Sequence, residues 1–342
     1  MQSQSRAIRP TLILSLAAQL TACGTGDSIS APDDERMGPV VAASMTSHPK
    51  VLASFNPVLG ENPEGLVVPH AGAEANRIFI TFIFRVQVMR MNGSTAEPYA
   101  TIADPTNRVG AGLASDDDGN IYWAIGAQGP GTAIPGIYKI PPGGGIATLF
   151  SAPIPAALPN GIAIVGKTAY WTEAILGAVN KTDLTTGATQ PWLFHPLLVG
   201  DPTACGGGEF PAPLGANGIV HVGGTLYITN SQFGRVVRIP IGATGLPGTV
   251  SVLAEDCDPF FGADGIAAKN GQLYVAVQPT HSIVRVDINT GKTKELYTGA
   301  PLDRPSSPFV WESDGQKRLL VTNLGFGDGP SGPSLVGFKN ND

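Results

Sequence analysis

The chain lacks a surplus of positive charge. Its 342 residues hold 21 Lys and Arg against 27 Asp and Glu, a net charge of −6 at pH 7. Nucleic acid needs a concentrated basic surface, so that class of partner is excluded. Charged residues of either sign make up only 14% of the chain. The apolar run over residues 11–18 stops at the length of a signal-peptide core, short of a bilayer span. Cysteine is scarce, with three in all. Glycine and proline, in contrast, number 44 and 30. They are the two weakest helix formers and are spread along the whole chain, which excludes long helices. Their joint share stays below the ~25–30% of low-complexity chains, and no Gly-X-Y period is present. With 42% hydrophobic residues, disorder and a collagen-like state are excluded as well. What is left is a strand-and-turn protein with many tight corners.

The first residues read as an address. Arg6 and Arg9 precede the apolar run, and Leu20-Thr21-Ala22-Cys23 closes it. That ending resembles the lipobox of bacterial lipoproteins, in which the Cys becomes the lipidated first residue of the mature chain. The resemblance implies a signal peptide over residues 1–22 and a lipid anchor at Cys23, outside the cytoplasm. Gly24 rather than Asp follows the Cys, which implies the outer membrane where the envelope has one. An ordinary signal peptide with an incidental Cys is the plainer alternative. Residues 23–49 are polar, small and aperiodic and read as a flexible tether. The membrane is then met only through the lipid. With Cys23 used, Cys205 and Cys257 remain in an oxidising compartment and are expected to pair. Two buried free thiols are the alternative.

One phrase recurs six times along the rest of the chain. A polar residue and Gly precede a short apolar strand, a tight turn follows, and a second strand carries aromatic or β-branched residues. Glu64-Gly65, Ala111-Gly112, Asn160-Gly161, Asn217-Gly218 and Asp264-Gly265 open five units, and Ser307-Pro308 opens the sixth. Third and fourth strands follow in most units. Four strands at a period of about 40–50 residues are the signature of a β-propeller. The sixth unit runs out of chain before its fourth strand, and residues 51–55 are expected to supply it. The expected fold is therefore all-β: one six-bladed β-propeller over residues 50–342, closed by its N-terminal strand, and monomeric.

In a propeller the first strand of each blade lines the central channel. Strand alternation puts the loops entering strand one and leaving strand two on one face. The long segments 126–135, 195–216, 256–263, 301–307 and 324–334 fall there, and such loops usually carry function. The residues opening the inner strands are Glu64, Ala111, Asn160, Asn217, Asp264 and Ser307. Glu64, Asn160, Asn217 and Asp264 are oxygen donors aimed at the axis from one end. Two carboxylates and two amide carbonyls, completed by water, form a hard-oxygen set suited to Ca²⁺. Zinc would call for His or Cys. Asn-Gly and Asp-Gly are also ordinary turn formers, and Asp118-Gly119, Asn270-Gly271 and Asp314-Gly315 read as such. The other set differs in phase, because it opens the innermost strand.

At these residues the chain resembles the six-bladed calcium-dependent hydrolases: gluconolactonase/regucalcin, diisopropylfluorophosphatase and paraoxonase. Their ring metal is held by a Glu in the first blade, Asn in the third and fourth, and Asp in the fifth. Glu64, Asn160, Asn217 and Asp264 match in that order, and the resemblance covers roughly residues 50–340. It implies one axial Ca²⁺ and Lewis-acid activation of a small-molecule lactone or ester. It also implies Asp264 as nucleophile or general base.

The chain departs from the family in blade two, which reads Asn107-Arg108-Val109-Gly110-Ala111-Gly112 instead of the gluconolactonase substrate motif. A sugar lactone is therefore not indicated, and the paraoxonase His dyad has no counterpart. His195, His281 and Glu173 stand near the long loops and could reach a substrate, although an exposed loop His is the plainer account of the first two. The rival to a hydrolase is a non-catalytic extracytoplasmic propeller with a structural metal, whose rim binds a protein or glycan.

Overall fold

The structure, a computed structural model, describes residues 48–152, 154–210, 212–313, 316–327, 329 and 331–339. The expected signal peptide, Cys23, most of the tether and the Asp314-Gly315 turn lie outside them. Helix among the described residues is confined to single turns, and strands account for the rest of the regular structure.

The first strand among the described residues is β1 (Lys50–Ser54), and successive antiparallel meanders follow. The first consists of β2 (Pro63–Val67), β3 (Phe79–Phe82), β4 (Gln87–Asn92) and β5 (Thr95–Ile102). The second holds β6 (Arg108–Ser115), β7 (Ile121–Ala127), β8 (Gly136–Ile140) and β9 (Gly145–Leu149). Next come β10 (Pro159–Val165), β11 (Thr168–Glu173), β12 (Ala178–Asp183) and β13 (Thr189–Phe194). They are followed by β14 (Ala216–Val222), β15 (Thr225–Asn230), β16 (Arg235–Pro240) and β17 (Ser251–Glu255). A fifth meander is β18 (Ala263–Lys269), β19 (Gln272–Val277), β20 (Ser282–Asp287) and β21 (Thr293–Thr298). The last three strands are β22 (Pro305–Ser313), β23 (Gln316–Asn323) and β24 (Ser334–Lys339). β1 pairs with β24, so a strand that precedes the first meander completes the last sheet.

The arrangement is all-β and propeller-like: four four-stranded sheets and one of eight strands. The eight-stranded sheet departs from six separate units. In it the outer strands β5 and β9 of the first two meanders pair in parallel, Ala100–Ile102 against Gly145–Ala147. The Gly143-Gly144-Gly145 run allows that approach. All three residues have positive φ, and a Cβ at Gly144 would stand 2.2 Å from the carbonyl oxygen of Tyr99. Apolar side chains fill the space between neighbouring meanders. Tyr170, Val179 and Trp192 share one core with Ile219, Leu226 and Ile228. Trp123 and Trp171 are fully buried in this packing.

Each innermost strand carries the same irregularity. The ladder breaks between Pro63 and Leu66, Gly110 and Leu113, Pro159 and Ile162, Ala216 and Ile219, Ala263 and Ile266, and Pro305 and Pro308. At every break two residues oppose one on the second strand, which is a β-bulge. The bulged pairs are Glu64-Gly65, Ala111-Gly112, Asn160-Gly161, Asn217-Gly218, Asp264-Gly265 and Ser306-Ser307. In the sixth strand the counterpart of Glu64 is therefore Ser306, one residue before the Ser307 expected from the sequence. Without a Gly to mark the phase, the Ser306-Ser307-Pro308 stretch is ambiguous by one position.

The glycines are required by close approach. A Cβ at Gly65 would lie 2.4 Å from the carbonyl oxygen of Ala111, and one at Gly112 would lie 2.5 Å from that of Asn160. At Gly218 the obstacle is the carbonyl oxygen of Asp264, 2.6 Å away. Each bulge thus abuts the next. Gly218→Ala is expected to cost about 1–3 kcal/mol through overpacking. Equilibrium unfolding in urea measures this, and a variant as stable as the parent would show that the bulges can slide apart.

Candidate metal centre

The ring of bulges is tied together by hydroxyls on the second strands. Thr81 accepts from Gly65 N at 2.7 Å and donates to the carbonyl of Ala111 at 2.9 Å. Thr172 accepts from Gly161 N and donates to the carbonyl of Asn217. Thr229 donates to the carbonyl of Asp264. Thr322 accepts from Ser307 N at 3.0 Å and donates to the carbonyl of Glu64 at 2.8 Å. Three of the four candidate ligand residues therefore have their backbone fixed by a neighbouring meander. Sequence reasoning missed these threonines, although Ile80-Thr81, Trp171-Thr172, Ile228-Thr229 and Val321-Thr322 recur at one phase.

The side chains of the ring sit in a dry place. Glu64 is 6% exposed, Asn217 3% and Asp264 2%, while Asn160 is half-buried. Asn160 and Asp264 line one axial cavity of about 350 Å³, which runs along the inner strands to His70 and Ser115 on the tight-turn side. Burial, with Asp264 close by, holds Glu64 well above the usual carboxylate range. Burial also pushes Asp264 up to about 7, against the hydrogen bonds from Gln278 and Asn217 that pull it down. The structure thus brings Glu64, Asn217 and Asp264 into one electrostatic and hydrogen-bonded group, and places Asn160 on the same channel as Asp264.

Two buried oxygens in this group have no hydrogen-bond partner, Oε2 of Glu64 and Oδ1 of Asn217. A buried acceptor without a donor costs roughly 1–3 kcal/mol, and two carboxyls kept from ionising cost more. A hard divalent cation removes both costs, so the donor set fits Ca²⁺. Among the described residues no group of three or more His, Cys, Asp or Glu is placed to hold a metal. That is consistent with a ring that has only two carboxylates and takes its other oxygens from amides.

The remaining candidates have structural work. Glu173 is fully buried and accepts from the backbone N–H groups of Ala157, Leu158 and Leu176, fastening two loops. His195 caps the turn at Pro196–Leu198 by accepting from Leu197 N at 3.1 Å. His281 accepts from Arg304 N at 3.1 Å through Nδ1. Cys205 and Cys257 form the expected disulfide, with Cα atoms 5.3 Å apart. It joins the segment before Asn217 to the segment before Asp264.

No protein-family model matches the chain, and no curated protein matches it. Solved structures do. The chain is similar to a calcium-binding protein, regucalcin, from Agrobacterium tumefaciens, with a TM-score of 0.58 and 17% identity over 83% of this chain and 94% of that one. It is similar to a gluconolactonase from Xanthomonas campestris, with a TM-score of 0.57 and 14% identity over 88% and 97% of the two chains. An auxiliary nutrient binding protein from Bacteroides ovatus gives a TM-score of 0.61 at 12% identity, over 84% of this chain and 75% of that one. The fold is a β-propeller. At these identities the likeness is one of fold alone.

Proposed function

We propose that the chain is a calcium-dependent hydrolase of a lactone or ester, built on six propeller blades. The observation that carries the proposal is the ring itself: two buried carboxyls and an orphaned amide oxygen at equivalent bulges. Glu64, Asn160, Asn217 and Asp264 would hold the ion, with water completing its shell. When bound, Ca²⁺ supplies Lewis-acid polarisation of a carbonyl and charge to offset a developing oxyanion. Asp264 is the catalytic residue, as nucleophile or general base.

The count of six blades is supported by the order of the bulges. Each abuts the next from Gly65 to Gly265, and Thr322 returns the contact to Glu64. The Leu20-Thr21-Ala22-Cys23 stretch supports a signal peptide, a lipid on Cys23 and a tether to residue 49. The disulfide fits the oxidising, extracytoplasmic side that such an anchor implies, at the outer membrane where there is one. A monomer acting on a small-molecule lactone or ester completes the proposal.

Deep burial of Glu64, Asn217 and Asp264 favours a second reading, in which the metal is structural and the long-loop rim binds a protein or glycan. A panel of lactones and aryl esters, run with chelator and then with added Ca²⁺, separates the two. The hydrolase predicts turnover of at least one compound, lost with chelator and restored by Ca²⁺. Bound Ca²⁺ without turnover of any compound selects the second reading.

A further inference from the structure

Two side chains just past the second strands, Ser231 after β15 and Gln278 after β19, reach back to the ring. Ser231 is 1% exposed and Gln278 9%. Ser231 Oγ accepts from Nδ2 of Asn217 at 3.0 Å and donates to the carbonyl of Ala263 at 2.7 Å. A hydroxyl has one proton to give. With that proton on the Ala263 carbonyl, Ser231 can only accept, so the NH₂ end of Asn217 must face it. The carbonyl end must then point away, and Oδ1 is the buried atom left without a partner. The orientation of this amide is dictated by proton accounting.

Gln278 acts on the neighbouring ligand. Its Nε2 donates to Oδ2 of Asp264. Nε2 is the donor end of the Gln278 amide, so that end faces the carboxyl, and Oδ1 is the oxygen of Asp264 that Gln278 leaves open, while the Asn217 amide also donates to this carboxyl. The equivalent places after β3 and β11 hold Ile83 and Ala174, whose side chains can neither donate nor accept. The device is thus specific to the two adjacent ligands Asn217 and Asp264.

We propose that Ser231 and Gln278 are positioning residues that preset the ring for a divalent cation. Ser231 forces Asn217 to present Oδ1, and Gln278 ties up Oδ2 of Asp264. This rests on the ring being a cation site. Without Ser231 the Asn217 amide can turn its NH₂ toward the cation, which repels it. Without Gln278 the Asp264 carboxylate keeps only the hydrogen bond from Asn217 and is held less firmly. Such outer-shell partners typically set metal affinity by 10–100-fold.

The test is Ca²⁺ titration calorimetry on a chain starting at Ala43. Every strand among the described residues finds its partner between Lys50 and Lys339, within a chain that starts at Ala43. Ser231→Ala and Gln278→Leu are expected to weaken Ca²⁺ binding about 10–100-fold, and Ser231→Thr, which keeps the hydroxyl, to stay within about threefold of the parent. Metal-free melting temperature is followed alongside. A purely structural Ser231 would lower the melting temperature of the Ala variant and leave Ca²⁺ affinity alone, which overturns the proposal. So does parental affinity in both variants, or failure of Ser231→Thr to retain it. If the parent itself binds no Ca²⁺, the cation site falls and the positioning role falls with it.

Discussion

Replacing Asp264 with Asn is expected to abolish hydrolysis and, at the same time, to make the metal-free protein harder to unfold at neutral pH. Both effects have one origin. Asp264 is a carboxyl held 2% exposed at the axis, beside a second carboxyl on Glu64, and its titration is pushed up to about 7. Asn has the same shape and can still accept from Gln278, so the bulge and its contacts survive. What is lost is the proton-accepting or attacking oxygen, worth about 10²–10⁴-fold in rate for a general base. What is relieved is the burial of an ionisable group, roughly 1–4 kcal/mol near pH 7.5. Rate assays and urea unfolding in chelator read the two separately. A variant with parental activity would remove Asp264 from the chemistry. A variant less stable than the parent without metal would show that the carboxyl is not held at a cost.

The second large effect is a stability profile that falls with pH and is rescued by Ca²⁺. Unfolded, Asp264 and Glu64 ionise near 4. Folded, both hold their protons to higher pH, Asp264 to about 7. Below pH 4 both states are protonated and the pair costs nothing. Between pH 4 and 7 the unfolded chain gives up protons that the folded chain keeps, so the pair's contribution to stability declines, and above about 7 the loss from Asp264 is complete. Subtracting the profile of Asp264→Asn isolates the Asp264 share from the other acids. At pH 7.5, Ca²⁺ at a hundred times its Kd adds about 2.7 kcal/mol, or roughly 4 °C in Tm for a chain of this size. A metal-free Tm difference that does not change between pH 4 and 8 would contradict the assignment.

The inner ring of bulges was legible because its packing and its oxygen-bearing side chains use the same dipeptides. Glycine is needed where one bulge abuts the next, so Glu64-Gly65, Asn160-Gly161, Asn217-Gly218 and Asp264-Gly265 mark each bulge and set an oxygen-bearing side chain beside it. Where that coincidence fails, the sequence is ambiguous. Ser306-Ser307 has no Gly, and the phase of the sixth strand was misread by one residue.

Long-range partners were not legible. The parallel pairing of β5 with β9 joins residues brought together only by the fold, and Thr229, Ser231 and Gln278 look like ordinary polar strand ends until their acceptors are known. The disulfide was legible for a different reason. With Cys23 assigned to lipid, only Cys205 and Cys257 remained. His195, His281 and Glu173 illustrate the converse. Their residue types suggest chemistry, but each spends its acceptor atoms on loop backbone.

The central claim is that Glu64, Asn160, Asn217 and Asp264 form one divalent-cation site on the propeller axis. Calorimetric titration of Ca²⁺ into the chelator-stripped protein, beside the Glu64→Gln/Asp264→Asn double variant, tests it most directly. The prediction is one Ca²⁺ bound per chain in the parent and none in the variant, with the variant still folded. Absence of binding in the parent, or equal binding in the two proteins, would contradict it.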